Sequence, residues 1–304
     1  QLAKSGAMSL EQLMQQADAL KASGHASAAM DLYKIWIACT QSPTRFVALF
    51  NWGVMLSEVG DMDGAEMAYR QCIGLNAGLL QAKINLGLTL ERKKNFDEAL
   101  QQWGEVADAT LGPASTDVEL KTMALNHIGR LQESRHLYDQ AEKALTQSLA
   151  LKPGQPDAIQ HWVHLRQKQC KWPVCVPLPG VRINDMLAAT SPLAMLSLHD
   201  DPALQWMASR AFVDRKFKLQ EERLAPAQRI PHARIRIGYL SGDLCTHAVG
   251  LLMADLIEAH DKSKFEIYAF DYSPEDGTPY RARLKQAFEH FHPVGALTDR
   301  EVAE

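Results

Sequence analysis

Small and large residues recur about every 34 positions in the first half of this chain, and no other feature of the sequence restricts its fold as strongly. Gly53 and Gly87 are 34 residues apart, and the large residues around them keep the same spacing. Four units of this kind begin near Leu10, at 46, at 80 and near Thr122. Self-similarity at this period is typical of stacked helical pairs, each packed only on its neighbours, so residues 10–155 are predicted to form a helical solenoid.

The spacing within a unit has a physical reason. A small residue at the eighth position, such as Gly87, lets two helices approach closely, and a large one at the twenty-fourth position, such as Trp103, fills the space between them. In this respect the units resemble the tetratricopeptide repeat, which implies an all-α superhelix. The unit near Thr122 begins 42 residues after its predecessor, so residues 112–116 are predicted to belong to a longer loop.

Asn51 and Asn85 occupy the same place in consecutive units, the sixth position. In the tetratricopeptide repeat this position faces the concave groove, so the resemblance implies that both amides line a groove for protein substrates. An amide offers a donor and an acceptor, which suits the backbone of an extended peptide. The alternative is that each Asn bonds to a neighbouring repeat or to water. Gln15 and His127 hold the equivalent positions in the outer units, so a ladder of Asn is incomplete.

Residues 156–230 are predicted to form a helical transition followed by a linker. The segment from Pro156 begins like a fifth unit, but Trp172-Pro173 and the proline-rich stretch 177–180 end it after one helix. Two more helices and a linker are predicted after it, at Arg182–Ala189, Asp201–Phe212 and Ala225–Pro231. At the other end of the chain, residues 1–9 are expected to be an N-terminal extension or an expression remnant.

The last quarter of the chain has a different period. Apolar, β-branched runs alternate with helical patterns in the order strand, helix, strand, helix, strand. The predicted strands are 234–240, 265–270 and 290–294, and the predicted helices are 248–260, 280–289 and 299–304. This order predicts a parallel sheet of the Rossmann type. Residues 231–304 would form only the first part of such a lobe, with one edge and much apolar surface open, so the sequence is expected to be a fragment of a longer chain.

The segment Gly238 to Asp243 covers the end of the first predicted strand and the turn after it. It lacks the glycine pattern that cradles the phosphates of a dinucleotide. The sequence contains no P-loop pattern either. The end of the strand and the residues after it are polar instead, and they include Ser241, Asp243, Thr246 and His247. Because open α/β sheets place their chemistry at the carboxyl ends of the strands, this edge is the candidate site.

Four segments of this region resemble the start of the catalytic region of O-GlcNAc transferases: Arg236–Leu244, Thr246–His247, Phe265–Tyr268 and Ser273–Thr278. That family places tetratricopeptide repeats before a two-lobed glycosyltransferase of the GT-B type, and its bacterial members with few repeats are the closer likeness. The resemblance implies inverting, metal-independent transfer of N-acetylglucosamine from UDP-GlcNAc to Ser or Thr of proteins, without a cofactor. It also implies that the residues that hold UDP lie in a second lobe, at positions outside this sequence.

The resemblance further implies roles for the residues at the strand edge. His247 matches a family His discussed as the base that removes the hydroxyl proton, a task suited to an imidazole. It could instead position the sugar or the pyrophosphate, or cap the following helix. Asp243 is a candidate for orienting His247 or for capping that helix, and Thr246 is a candidate for substrate binding. The loop departs from the family pattern, since Ala248 stands where the family usually has Pro, and Cys245 and Thr246 replace Gly and Asn.

Composition excludes several classes of function. With 32 Lys and Arg against 36 Asp and Glu, the net charge of -4 gives no reason to expect a nucleic-acid partner. The five cysteines lack the paired spacing of a zinc site, and free thiols predict a reducing, cytoplasmic location. Apolar stretches such as 251–257 are too short for a membrane span. The remaining alternative to a glycosyltransferase is a tetratricopeptide-repeat scaffold or adaptor with a non-catalytic α/β piece.

Overall fold

The computed structural model describes residues 3, 8–110, 115–217, 224 and 231–304. The chain divides into two compact units, residues 1–218 and 219–304, which are described separately. Several predicted segments lie outside the described residues: most of the N-terminal extension, residues 112–114 of the predicted loop, and residues 225–230 of the predicted linker.

The first unit opens with an array of helices in which each helix packs on the next. These helices are α1 (Leu10–Ala22), α2 (Ala26–Cys39), α3 (Arg45–Glu58), α4 (Met62–Leu75), α5 (Leu80–Arg92), α6 (Phe96–Asp108), α7 (Ser115–Ser134) and α8 (Tyr138–Leu151). They form four consecutive pairs, α1 with α2, α3 with α4, α5 with α6 and α7 with α8. Each pair consists of the first and the second helix of one repeat unit. The predicted tetratricopeptide-type array is confirmed in this part of the chain.

The small residue at the eighth position of a unit lies where a large side chain of the second helix meets the first helix. A Cβ added to Gly87 would lie 2.2 Å from the ring of Trp103. One added to Gly53 would lie 2.7 Å from the ring of Tyr69. Both rings are almost completely buried, so neither can move aside without opening a gap in the core. The close approach therefore requires glycine, as the repeat spacing predicts.

Helix α7 shows where the prediction for the last repeat is wrong. It begins at Ser115 and has 20 residues, whereas the corresponding helices α3 and α5 have 14 and 13. Ser115 and Thr116 were expected in a loop, but they form the first turn of the helix, where Asp117 also lies and where an acidic side chain is favourable. Most of the longer spacing is thus taken up by extra helical turns. Among the described helices, none is both long and apolar enough to cross a bilayer.

Four more helices complete the described part of the first unit: α9 (Pro156–Lys168), α10 (Ile183–Ala189), α11 (Pro192–Leu198) and α12 (Pro202–Lys216). Three of them begin with proline, whose missing N–H costs nothing in the first turn. Helix α11 is absent from the prediction, although Ser191 caps it by accepting a hydrogen bond from the Ala194 N–H. Helix α10 packs on both α9 and α12, so the predicted transition shares one compact unit with the repeats.

The second unit contains a three-stranded parallel sheet with the order β1-β2-β3. Its elements are β1 (Ile235–Ser241), α13 (Ala248–Glu258), β2 (Phe265–Asp271), α14 (Pro279–Ala287), β3 (His290–Pro293) and α15 (Asp299–Ala303). Every boundary lies within two residues of the predicted one. The predicted βαβαβ order, the start of an α/β lobe, is confirmed.

The core of the second unit combines one face of the sheet with buried residues of α13 and α14, and it includes Ile257, Ile267 and Leu284. Helix α13 buries its small residues Gly250 and Ala254 together with Ile257. Its leucines lie on the exposed side: Leu251, Leu252 and Leu256. The three leucines of α13 are therefore not the residues that pack in the core.

The alternate residues of the strands point to the other face of the sheet. On that face Tyr268 stacks on His290 with ring centroids 4.3 Å apart, and Phe270 stacks on His292 at 5.5 Å. Leu240 is 63% exposed, and it lines an apolar groove of about 640 Å³ together with Phe270. Open apolar surface of this kind is expected of a three-stranded sheet.

We predict that Gly87→Ala lowers the free energy of unfolding of the repeat array by about 1–3 kcal/mol, because the added methyl group overpacks the space beside Trp103. Gly104→Ala is the matched control. Gly104 also lies inside a helix, α6, but a Cβ there would meet no atom within 4 Å. This control should be neutral or stabilising by up to about 1 kcal/mol, since alanine favours helix.

Urea unfolding monitored by tryptophan fluorescence measures the free energy of unfolding of both variants. The signal reports on this unit because all six tryptophans lie in residues 1–218. Equal effects of the two substitutions would show that the contact between Gly87 and Trp103 does not determine the packing of the repeat.

Candidate functional site

The carboxyl ends of β1 and β2 bring two loops side by side. Ser241 and Asp271, the last residues of these strands, are partners in the parallel register. The first loop, residues 242–247, leads into α13, and the second loop, residues 272–278, leads into α14. The polar residues predicted for the site lie on the first loop. The second loop supplies side chains that hold the first one in place.

His247 is the N-cap residue of α13 and is about half exposed. Its Nδ1 accepts a hydrogen bond from the Val249 N–H at 3.3 Å. A neutral imidazole carries one proton, so an accepting Nδ1 places that proton on Nε2. In this arrangement Nε2 is a hydrogen-bond donor. A role as a base through Nε2 would require the other tautomer.

Asp243 does not cap α13, so the capping role considered for it is wrong. The cap is His247, four residues further along the chain. The Asp243 N–H donates to Ser241 Oγ at 3.0 Å, which fixes a turn directly after β1. Its Oδ1 lies 3.7 Å from His247 Nδ1, beyond hydrogen-bond distance. The predicted orienting role would need this distance to shorten, and it stays a prediction.

Thr246 connects the two loops. Its N–H donates to Asp276 Oδ2 at 2.8 Å, and its hydroxyl lies 3.1 Å from the hydroxyl of Thr278. Both of these polar groups are engaged within the protein. The predicted part of Thr246 in substrate binding stays a prediction, while its contacts show a part in holding the loop.

Asp276 receives hydrogen bonds at both carboxylate oxygens, and it is not among the residues predicted for the site. Besides the Thr246 N–H, it accepts from the Thr278 N–H at 3.0 Å and from the Thr278 hydroxyl at 2.7 Å. The two backbone N–H groups, that of Thr246 foremost, hold the pKa of the Asp276 carboxyl far below its usual range. The local signal was present, since Asp276-Gly277-Thr278 before Pro279 is typical of a turn that opens a helix.

A buried ion pair beneath the loops was missed as well. Arg281 and Asp271 are each about 3% exposed, and Arg281 Nη2 lies 2.5 Å from Asp271 Oδ2. Arg281 Nη1 also donates to the Leu244 carbonyl at 2.5 Å, inside the first loop. Burial alone would raise the pKa of Asp271, but hydrogen bonds from Arg281 and Ser273 outweigh it and hold the pKa below its usual value. No local pattern reveals this pair, because its members lie on different elements.

The first loop also lies directly against α13. A Cβ added to Gly250 would stand 2.3 Å from the carbonyl oxygen of Cys245 and 2.9 Å from that of Asp243. Only glycine allows the loop backbone to approach the first turn of the helix this closely. The loop that carries His247 is therefore held by the second loop and by its own helix.

In the repeat array, the predicted groove residues contact the preceding repeat. Asn51 Nδ2 lies 3.4 Å from the hydroxyl oxygen of Tyr33, and Asn85 Nδ2 lies 3.4 Å from that of Tyr69. The structure thus shows the contact with a neighbouring repeat that was the alternative for these residues. His127, at the equivalent position, stacks on Trp103 with ring centroids 5.1 Å apart. Burial, followed by the charge of Arg130, lowers the pKa of His127.

Among the described residues, no group of three or more His, Cys, Asp or Glu side chains is placed to hold a metal ion. His247 and its loop lie at the start of the α/β unit that follows the helical repeats in the chain.

Comparison with known proteins identifies the class to which this arrangement is similar. The family model described as glycosyl transferase family 41 matches residues 213–303, the segment that contains both loops. A probable UDP-N-acetylglucosamine–peptide N-acetylglucosaminyltransferase of Arabidopsis thaliana is 32% identical over 71 residues, 23% of this chain and 7% of that protein. A UDP-N-acetylglucosamine–peptide N-acetylglucosaminyltransferase of Caenorhabditis elegans is 40% identical over 58 residues, 19% of this chain and 5% of that protein.

Two solved structures are similar over more of the chain. One is a mutant O-GlcNAc transferase of Thermobaculum terrenum, which is 20% identical. The match covers 84% of this chain and 42% of the transferase chain, with a TM-score of 0.40. A tetratricopeptide repeat protein of Parabacteroides merdae, 16% identical, covers 67% of this chain and 76% of its own, with a TM-score of 0.48. The predicted resemblance to O-GlcNAc transferases is confirmed by the family model and the two sequence relatives. The matched segments span less than a tenth of either sequence relative.

We predict that Asp271→Asn lowers the free energy of unfolding of the second unit by about 3–5 kcal/mol, because the charge of Arg281 is left buried without its partner. Asp255→Asn is the control, since Asp255 pairs with Arg283 at 2.5 Å but is 87% exposed. Its effect should be below about 1 kcal/mol. Amide hydrogen exchange of β2 measures both effects, because the second unit contains no tryptophan.

The same pair predicts a pH dependence. The pKa of Asp271 is lower in the folded chain than in the unfolded chain, so its contribution is present at neutral pH and is lost as the pH falls. The stability difference between wild type and Asp271→Asn should therefore narrow below about pH 4. A difference that does not change with pH would contradict an ionised Asp271.

Proposed function

We propose that this chain acts in protein O-linked N-acetylglucosaminyl transfer, as a glycosyltransferase whose repeats bind the protein substrate. The observation that carries the proposal is that residues 213–303, which include His247 and both loops, match glycosyl transferase family 41. The names of the two sequence relatives supply the donor, UDP-N-acetylglucosamine, and the peptide acceptor. The cytoplasm is the proposed location, and the residues that hold UDP are proposed to belong to a second lobe of a GT-B enzyme.

The proposed reaction is an inverting transfer that needs no metal ion. A Ser or Thr hydroxyl oxygen attacks the anomeric carbon of the sugar, the bond from that carbon to the diphosphate oxygen breaks, and UDP leaves. The hydroxyl proton has to be taken up by a base during this step. The protein contributes by fixing the reacting groups and by stabilising the charge that develops on the leaving group.

The hydrogen bond at Nδ1 favours a positioning role for His247. Because Nδ1 accepts from the Val249 N–H, the proton on Nε2 is available to donate to a sugar or diphosphate oxygen. A base role would require Nδ1 to give up this bond and to carry the proton, and Asp243 Oδ1 lies 3.7 Å from Nδ1. We therefore place His247 as a donor, with the base supplied by another group.

The proposed peptide groove uses the acceptor side of the Asn amides. Asn51 directs its amide nitrogen at Tyr33, and among the described residues its Oδ1 makes no hydrogen bond. Asn85 Oδ1 has only a long contact, 3.5 Å, with Gln81 Nε2. Both oxygens can therefore accept a backbone N–H of an extended peptide without breaking a strong bond. The Tyr contacts hold the amides in a fixed orientation.

The proposal is tested by incubating the full-length gene product with radiolabelled UDP-GlcNAc and a mixture of candidate proteins. Incorporation of the label on Ser or Thr supports the glycosyltransferase. No transfer, together with no binding of UDP, would support the alternative, a repeat scaffold or adaptor with a non-catalytic α/β piece.

We predict that His247→Ala lowers kcat at least 100-fold and changes the KM for UDP-GlcNAc much less, since the loss of one oriented donor costs about 10²–10³ in turnover. His247→Gln separates the two roles. Gln keeps an N–H donor near the place of Nε2 but cannot act as a base at neutral pH. If His247 is a donor, the Gln variant should retain more turnover than the Ala variant, whereas equal losses would favour the base.

We also predict that the double substitution Asn51→Ala with Asn85→Ala raises the KM for protein substrates and leaves short peptides little changed, because only long substrates reach the repeats. Asn95→Ala is the control, since Asn95 lies in the turn before α6 and contacts Glu98. Steady-state kinetics with a protein and a peptide acceptor measure the difference. Equal effects on both acceptors would count against the groove.

A further inference from the structure

Asp276 holds the loop of the candidate site in place, and its contacts give it a function beyond the turn that it closes. We infer that Asp276 is a positioning residue for the transfer reaction, which sets the location of His247 through the backbone of Thr246. This inference rests on the proposed function. Nothing in it requires Asp276 to touch a substrate.

One carboxylate joins the starts of two helices. Oδ2 accepts from the N–H of Thr246, the residue directly before the N-cap of α13. Oδ1 accepts from the N–H and the hydroxyl of Thr278, which is the N-cap residue of α14. Thr278 in turn accepts a hydrogen bond from the Arg281 N–H at 3.1 Å. The place of His247 is thereby tied to the start of α14.

A second set of contacts fixes the same loop two residues earlier. The Leu244 N–H donates to Ser273 Oγ at 2.8 Å, and the Leu244 carbonyl accepts from Arg281 at 2.5 Å. Ser273 itself donates to Asp271 at 2.6 Å. The first loop is thus held by hydrogen bonds at Leu244 and at Thr246. The side chains that make these bonds all belong to residues 271–281. The contact at Asp276 is the one nearest to His247.

The contact depends on a carboxylate. Two backbone N–H groups converge on Asp276, one at each oxygen, so both of its oxygens must be acceptors. An amide of the same shape would turn an NH2 group toward one of them and replace a hydrogen bond with a repulsive contact. The lowered pKa of Asp276 agrees with this arrangement, because two backbone N–H groups stabilise the ionised carboxylate. Asp276→Asn is therefore the smallest change that breaks the pair of hydrogen bonds from the Thr246 and Thr278 N–H groups to Asp276.

The expected effect on the reaction follows from geometry. Reacting groups have to be held to within a fraction of an ångström, and a displacement of about 1 Å can cost about 100-fold in rate. Asp276→Asn should therefore lower kcat about 10- to 100-fold. The KM for UDP-GlcNAc should change less than about twofold, because Asp276 contacts the loop backbone and is not proposed to contact the nucleotide.

Asp261→Asn is the matched control. Asp261 closes the same kind of turn, accepting from the Ser263 N–H at 3.0 Å and from its hydroxyl at 2.5 Å, but it lies between α13 and the start of β2. Each substitution weakens the bonds within one turn, so both should lower the melting temperature. Asp276→Asn also breaks the bond to the Thr246 N–H, and Asp261→Asn also removes an ion pair with Lys264 at 3.0 Å. Only Asp276→Asn should lower kcat. Ser273→Ala, which releases Leu244, is a second variant and should lower kcat to a smaller extent.

A measurement on the 304-residue chain separates this inference from the proposed function. Long-range nitrogen–proton NMR spectra distinguish the two imidazole tautomers, and the His247 signals are assigned by their loss in His247→Ala. The wild type should show the form protonated at Nε2, and Asp276→Asn should shift the ring to a mixture of tautomers while Asp261→Asn leaves it unchanged.

The outcomes are distinct. If the full-length wild type transfers sugar but Asp276→Asn keeps its full kcat, the positioning role is overturned and the proposed function stands. If the wild type transfers no sugar, the proposed function is wrong. An unchanged His247 tautomer in Asp276→Asn would then also overturn the inference that Asp276 sets the location of His247. A lowered kcat with an altered tautomer, both absent in Asp261→Asn, supports the inference.

Discussion

The candidate site depends on the buried ion pair between Asp271 and Arg281. Replacing a buried pair with apolar residues is often neutral for stability, because the cost of desolvating two charges offsets their attraction. What the pair provides here is geometry. Arg281 comes from α14, reaches the end of β2, and donates to the carbonyl of Leu244 in the loop after β1. One guanidinium therefore connects α14, the end of β2 and the loop after β1. The position of the loop that carries His247 depends on these contacts.

The helices of the repeat array are positioned by a different kind of contact. There the contacts are steric: a glycine on one helix receives a large ring from the next, as Gly87 receives Trp103. Large rings also meet the residue at the sixth position of the following repeat. Three such contacts recur along the described array, joining Tyr33 to Asn51, Tyr69 to Asn85, and Trp103 to His127. Each of these sixth-position residues is thus in contact with the repeat before it.

The features predicted correctly from the sequence are those encoded locally. Helical repeats and the strands that follow them both depend on the spacing of neighbouring residues. Their order could therefore be predicted, and so could the bounds of the elements in the second unit. The side of α13 that packs on the sheet could not, because three leucines suggest one side and the close approach of the loop to Gly250 selects the other. The contacts that Asp276 and Arg281 make with the first loop join residues 30 and 37 apart in the chain. Sequence periodicity carries no information about such pairs.

The contacts of the first loop also explain why it lacks a phosphate-binding glycine pattern. In such a pattern, free backbone N–H groups point at the phosphate oxygens. Here the protein itself uses the N–H groups of four residues, through the side chains of Ser241, Ser273, Asp276 and His247: those of Asp243, Leu244, Thr246 and Val249. These N–H groups are not available to a diphosphate. A loop built in this way is suited to hold one side chain rigidly at the strand edge, and in the proposed function that side chain is His247.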